Sequence, residues 1–289
     1  MKYPVRSLAM SLVGTGFLGL AWAKNRIFGY ATPNLVLPSD DEGRIRYVLD
    51  TFETWQRFLP AGFDLRGKDV LEVSPGSSRG AGALFLAAGA RSYHAIDAFG
   101  LAESEDADFY PHLVARWRAA RGDTDPVGPA IPDASVFSYA VGRDFDIARL
   151  CGGRSFDLIV SCAAFEHYPD IARAIAGQTA VARGGCVAVH VIDLQTHSRW
   201  VRDRDPNNIY RFTESFYRLF AFPGQPNRKR PADYIADFVA NGWRDVQFTP
   251  VRTIAPDRLG AATDGLARAF RKDDSDMSVL NGVLRARVP

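Results

Sequence analysis

Glu72 lies in the stretch VLEVSPGSSRGAG (residues 70–82), where a short apolar run meets a turn punctuated by Gly76 and Gly80. Asp97 closes the next apolar run, 25 residues further on. An acid at that separation can accept hydrogen bonds from both hydroxyls of a ribose, the part an acidic residue about 20 positions on plays in dinucleotide folds. The same residues also fit a tight turn followed by a solvated aspartate. Further along, His167 follows one apolar run, while His190, Asp193 and His197 surround the end of another. Imidazoles so placed can move a proton near neutral pH. His197 is the first choice for a base and His167 the second, although His167 could equally order its own loop. Asp193 and His197 could share a divalent cation, but no third ligand is apparent, so no metal site is expected.

The rest of the chain bounds what such residues can serve. At 289 residues it can bury a large core, and 47% apolar with 24% charged residues is globular in composition. A net charge of +2 does not fit a dedicated nucleic-acid binder, whose basic surface is clustered. Cys151, Cys162 and Cys186 are odd in number and lack metal or redox spacing, which fits buried thiols in a cytoplasmic protein. Residues 8–23 (LAMSLVGTGFLGLAWA) are uncharged and flanked by basic residues. At 16 residues they fall short of the ~20 needed to span a bilayer. They read as a helix packed on the domain or on a membrane surface, with a cleaved signal as the alternative.

The candidate residues need a scaffold, and the pattern supplies one. Ser39-Asp40-Asp41-Glu42 reads as a capping box before a helix carrying Ile45, Val48, Leu49, Phe52, Trp55, Phe58 and Leu59. Strand-like runs then alternate with helical ones: 70–73, helix 80–88, 92–96, helix 108–121, a turn-rich loop 122–134, and VFSYAV. FDLIVSCAA (156–164), helix 170–182, and a Gly184-Gly185 turn into CVAVHVID follow. Apolar strands without internal alternation predict an α/β fold: a Rossmann-like, doubly wound sheet of about seven mostly parallel strands. Residues 194–230 break the pattern and read as a substrate-pocket insert. Helix 231–240 and strands 245–251 and 279–288 complete the chain. The expected division is an N-terminal helical extension over 1–62 and one domain over 63–289.

VLEVSPG, the Asp97 strand end, FDLIVSCAAFEHYPD (156–170) and GGCVAVHVIDL (184–194) resemble, in that order, the class I S-adenosylmethionine-dependent methyltransferases. HVIDLQTHS, FTESFYRLF and PNRKRPADYIADFVANGW are similar to a bacterial subgroup with HxIDLRDH and NRLRxxDY-like segments, often tied to glycan or natural-product pathways. The chain departs at Ser74 and Ser78, where the family's loop has glycine. It departs again at Gln195-Thr196 and Lys229. A serine required to adopt φ > 0 would reshape the loop.

The resemblance implies S-adenosyl-L-methionine as cofactor. Glu72, Ser74, Gly76, Ser77 and Gly80 would serve its amino-acid tail, and Asp97 with Ala98 its ribose. Asp144 (or its neighbour Asp146) with Phe145 would serve the adenine, and Ser161 and Cys162 would form the floor beneath the sulfonium. His197, His167 and Asp193 become the catalytic candidates. His190, Tyr210, Asn227, Arg228 and Arg230 become substrate candidates, the arginines as a clamp for phosphate or carboxylate unless they form a solvated turn. Trp200, Phe216 and Tyr217 could stack on a ligand or belong to the core. The implied activity is methyl transfer, most simply O-methylation of a small-molecule natural product or glycan. Two alternatives stand beside it: a methyltransferase-like binding or scaffold subunit, favoured by Ser74 and Ser78, and a dinucleotide-dependent reductase.

Overall fold

The computed structural model describes residues 3–29, 40–123, 134–271 and 274–289. In chain order the elements are α1 (Tyr3–Phe28), α2 (Asp41–Phe58), β1 (Asp69–Val73), α3 (Gly80–Ala87), β2 (Ser92–Asp97), α4 (Phe109–Ala120) and β3 (Phe137–Val141). Then come α5 (Ile147–Cys151), β4 (Phe156–Cys162), α6 (Ile171–Val181), β5 (Ala182–Asp193), α7 (Arg199–Arg202) and α8 (Glu214–Arg218). The chain closes with α9 (Pro231–Ala240), β6 (Arg244–Thr253), α10 (Pro256–Thr263), α11 (Asp274–Ser278) and β7 (Val279–Arg287).

The strands form one sheet of order β3-β2-β1-β4-β5-β7-β6. β1 to β5 pair in parallel, and β7 runs antiparallel between β5 and β6. Apolar runs such as Val70–Val73 and Leu158–Val160 are buried on both faces, as a sheet covered by helices requires. One face packs on α2, α3 and α4, and the other on α5, α6 and α9. The expected doubly wound architecture is therefore observed. The direction of the chain reverses about β1, so β2 and β4 diverge there and leave a crevice at the carboxyl ends of the strands.

Local details refine the sequence expectations. Asp40 caps α2, accepting from the Gly43 N–H at 2.7 Å, while Ser39 lies outside the described residues. Ile45, Val48, Phe52 and Trp55 recur at helical spacing and are buried against the sheet's α3–α4 side. Gly184 and Gly185 belong to β5 rather than to a turn before it. The pairing with β4 shifts register there, and Gly185 adopts φ +79°. Most of the expected loop 122–134 lies outside the described residues.

The insert and α1 form a third apolar cluster, in which Leu18 meets Ile209, Phe212 and Tyr217. A buried ion pair, Arg211 Nε to Asp205 Oδ2 at 2.5 Å, braces it. Gly14 lets α1 approach closely: a Cβ there would stand 2.0 Å from Asn208 Oδ1. The Asn208 amide in turn donates to the Met10 carbonyl at 2.8 Å. Among the described residues, no helix is long and apolar enough to cross a membrane.

Candidate functional site

Two adjoining cavities occupy the crevice at the strand ends. The first, about 290 Å³, is walled by Glu72, Ser74, Pro75, Gly76 and Ser78 from the β1–α3 turn, with Asp97 from β2. Cys162, His167, Asp193 and His197 close it from β4 and β5, and Tyr47 and Thr51 of α2 form its roof. The second, about 260 Å³, shares Ser74, Asp97 and His167 and extends over Ala98, Asp144 and Phe145. Eleven of the candidate residues are thus brought together by strands that the sequence separates by more than a hundred positions.

Ser74 answers the question its presence in the loop poses. Its φ is +59°, the left-handed conformation glycine adopts freely, and Gly76 follows at +68°. The loop keeps the glycine shape with a serine in it, at a cost of roughly 1–2 kcal/mol. The Ser74 hydroxyl offsets part of this through a 2.8 Å hydrogen bond with the Tyr168 hydroxyl. Phe145 (+46°) and Ala163 (+50°) are also left-handed and also line the cavities. Backbone strain gathers where a surrounding structure holds a site in shape. Ser78 needs no such conformation, and its hydroxyl accepts from the Gly80 N–H at 3.1 Å, satisfying one free donor of the first turn of α3.

The acids are poised by burial. Glu72 is 4% exposed, and burial pushes its carboxyl up to about 8, with Glu105 and Asp97 adding repulsion. The Tyr93 hydroxyl, donating at 2.5 Å, opposes this only in part. Burial likewise raises Asp97 to about 6, against stabilising N–H groups that include Phe99 at 3.1 Å. Buried acids without a cation partner favour a ligand that brings positive charge, or hydroxyls that donate to them.

The histidines show a matching order. His167 Nδ1 lies 2.6 Å from the Gly224 carbonyl, and His197 Nδ1 lies 2.9 Å from the Gln195 carbonyl. Carbonyls only accept, so both rings carry their proton on Nδ1 and leave Nε2 unprotonated. Burial lowers both, His167 to about 3, so both are neutral at pH 7. Their rings meet edge to face with centroids 4.7 Å apart.

Other candidates face elsewhere. Ser161 alternates away from Cys162 along β4, as strand geometry dictates, and bonds His190 Nδ1 at 2.8 Å inside the core. His190 is fully buried, with its Nε2 3.1 Å from Gln178, so it cannot meet a substrate. Gly80 is not a cavity wall: a Cβ there would meet Leu113 at 2.9 Å and Val48 at 3.1 Å, so it serves helix packing. Ser77 is likewise outside the cavity walls. Asp146 caps α5, and the Asp144 carboxylate, though at the second cavity, is held by Arg149 at 2.5 Å.

The arginines of the insert also turn inward. Arg228 donates to the Ile209 and Phe212 carbonyls at 3.1 and 2.7 Å and pairs with Glu214. Arg230 donates to the Val279 carbonyl at 2.9 Å and to that of Asp276. Asn227 bonds the Phe165 and Tyr168 carbonyls at 2.8 and 3.0 Å, and the Tyr210 hydroxyl donates to Leu194 at 2.7 Å. None of them lines either cavity of the crevice, and these bonds fasten the insert to the domain; Arg230 keeps Nε and Nη1 without hydrogen-bond partners among the described residues, beside a separate cavity.

Sequence reasoning missed several walls. Tyr47 and Thr51 flank the buried stripe of α2, where polar residues beside an apolar face are the available signal. Glu166, beside His167 in a 3₁₀ turn, is 2% exposed and has one carboxylate oxygen, Oε2, without a hydrogen-bond partner among the described residues. A further apolar cavity of about 270 Å³ lies between α1 and the insert. Phe17, Leu18, Leu20 and Ala21 line one side, and Ile209, Tyr217, Phe222 and Pro226 the other. Among the described residues, His197 is the one that lines both this cavity and the acid-walled one.

No family model matches the chain, and no curated protein matches it. Solved structures similar in fold include an S-adenosylmethionine-dependent methyltransferase from Mesorhizobium loti, at 15% identity and TM-score 0.46, covering 86% of this chain and 100% of that one. The CurJ carbon methyltransferase matches at 14% identity and TM-score 0.44 over 96% of this chain and 67% of that one. A Haemonchus contortus phosphoethanolamine N-methyltransferase 2, in complex with phosphomonomethylethanolamine and S-adenosylhomocysteine, matches at 14% and 0.45 over 94% and 57%. The strand order and the cavity walls stand independently of these likenesses.

Proposed function

We propose that the protein is an S-adenosylmethionine-dependent methyltransferase acting on the hydroxyl of a small-molecule acceptor with an apolar body. The observation that carries this reading is the position of His197 at the junction of an acid-walled cavity and an apolar one. The acid-walled pair of cavities fits the cofactor's chemistry. Glu72 suits its cationic end, Asp97 can accept from a ribose diol, and the slot beside Phe145 suits a flat ring. When bound, the cofactor supplies an electrophilic methyl group on a sulfonium.

The chain's part is to align the acceptor and hold its proton. His197, neutral and unprotonated at Nε2, is the base in this reading, with Asp193 nearby favouring its charged form. Tyr47, Val48 and Thr51 of α2 form one wall of the first cavity. The lining of the α1 cavity favours an acceptor with an aliphatic or aromatic portion over a bare sugar. On the opposite side of α1, Leu8 and Leu12 are 64% and 67% exposed, which supports the proposed membrane-surface contact of residues 8–23. The left-handed Ser74 removes the main ground for a scaffold subunit without transfer activity, since the loop keeps its shape.

The test is calorimetry with S-adenosylmethionine and S-adenosylhomocysteine on the full chain. Micromolar binding, lost in Asp97→Ala, is expected. Absence of binding by either compound would overturn the assignment. NADPH binding in its place would revive the reductase.

A further inference from the structure

Glu166, His167 and His197 converge. Each offers a ligand atom, and these atoms all lie within 4.8 Å of one another. His197 Nε2 is 4.0 Å from Glu166 Oε1. We infer that these three side chains form a binding site for a divalent first-row transition metal, set at the junction between the acid-walled cavity and the apolar one.

Three independent features point there. The two imidazoles donate from Nδ1 to the backbone carbonyls of Gly224 and Gln195, which fixes the tautomer with both Nε2 lone pairs free. Metal-bound histidines are oriented by such a bond from their other nitrogen. Glu166 is 2% exposed, yet among the described residues its Oε2 has no hydrogen-bond partner, while its Oε1 receives the Asp193 N–H at 3.3 Å. A buried carboxylate oxygen left unpaired is costly; a proton or a cation removes the cost, and the two imidazoles beside it make a cation a fitting partner. The ligands are also carried on braced backbone: Glu166 and His167 on a 3₁₀ turn that Asn227 ties down through the Phe165 and Tyr168 carbonyls, and His197 just beyond β5.

The donor set selects the ion. Two imidazoles and one carboxylate suit Zn²⁺, Fe²⁺, Co²⁺ or Mn²⁺, whereas Mg²⁺ and Ca²⁺ prefer oxygen alone. Bond lengths of about 2.0–2.2 Å put tetrahedral ligand atoms roughly 3.4 Å apart, so the side chains must close by about 1 Å on binding. Three protein ligands leave a position open, as catalytic sites do. Because His167 and His197 line the acid-walled cavity and His197 also the apolar one, that position can hold an acceptor oxygen. This role for the metal rests on the proposed methyl transfer and would take the place of His197 as base, because an Nε2 bound to the ion has no lone pair left for a proton; metal binding itself does not rest on it.

The experiment is equilibrium dialysis of the full chain against Zn²⁺ and Co²⁺, with bound metal measured by mass spectrometry and Co²⁺ ligation by visible absorption. One equivalent per chain is expected, unaffected by millimolar Mg²⁺. His197→Ala and Glu166→Gln should each weaken Zn²⁺ binding tenfold or more, while His112→Ala, at an exposed position of α4, should not. Circular dichroism reports whether the buried Glu166 variant still folds; His197, being partly exposed, provides the second variant. Absence of stoichiometric binding, or equal binding by His197→Ala, would overturn the site. Titration of the same preparations with S-adenosylhomocysteine separates the two readings. Cofactor binding without metal binding removes only the metal site, and metal binding without cofactor binding removes only the methyl-transfer role.

Discussion

The β1–α3 turn and the basic turn Asn227–Arg230 both look functional in the sequence, and the structure treats them in opposite ways. In the first, Glu72 and Asp97 are buried with fewer partners than their charge requires, and they face a cavity. In the second, Arg228 donates to the carbonyls of Ile209 and Phe212 and pairs with Glu214, and it lines neither cavity of the crevice. Under-satisfied charge beside a cavity marks a binding site, whereas satisfied charge marks an internal fastening.

The comparison can be broken first at the insert. Arg211→Ala leaves Asp205 buried without its partner, and breaking such a pair costs about 3–5 kcal/mol. Arg228→Ala should cost about 2–3 kcal/mol through its lost bonds to carbonyls. Both should lower the urea midpoint and leave cofactor affinity of the folded protein unchanged. If affinity for a phosphorylated or carboxylated acceptor falls instead, with stability intact, the arginines are a clamp after all.

The cavity side carries a smaller, pH-dependent effect. Glu72 is raised from an ordinary 4.5 to about 8, so its contribution is full below pH 4.5 and is lost as pH rises through 8. Asp97, raised from 3.8 to about 6, adds the same trend at lower pH. His94, His167 and His190, lowered from 6.5, act oppositely, losing stability as pH falls below 6.5. Between pH 6.5 and 8 the raised acids Glu72 and Glu166, the latter also pushed well above 4.5 by burial and by Asp193, carry the trend, and Glu72 alone should cost the unliganded protein about 2 kcal/mol over that range. Glu72→Gln should reduce the slope in chemical denaturation, leaving the share of Glu166; an unchanged slope would mean that Glu72 is already ionised.

The smallest effect is at Ser74. Ser74→Ala loses the bond to Tyr168 without relieving the left-handed backbone, while Ser74→Gly loses the bond and relieves the strain. The glycine variant should be the more stable of the two by about 1 kcal/mol. Equal Tm values would place the strain elsewhere.

Much of the scaffold was legible because buried parallel strands must be apolar throughout and Asp97 must end one of them. Side-chain direction was less legible. Ser161 and Cys162 are neighbours in sequence, yet strand alternation sends one into the core and the other to the cavity. His190 carries the same chemistry as His197 but sits where β5 is covered on both faces. No local signal tells these apart, since burial is a property of what packs on a residue.

The amino-acid sequence by itself determined the α/β alternation, the strand ends that carry Glu72, Asp97, His167 and Asp193, and the presence of a serine where the loop must turn. Those follow from hydrophobic periodicity and from what each residue's backbone and side chain can do locally. Only the tertiary structure decided that Ser74 takes the glycine conformation, that the insert's arginines turn inward, and that α1 walls an apolar cavity beside His197. It also brought Glu166 to the two histidines. Each of these depends on groups distant in sequence competing for the same space and the same hydrogen bonds.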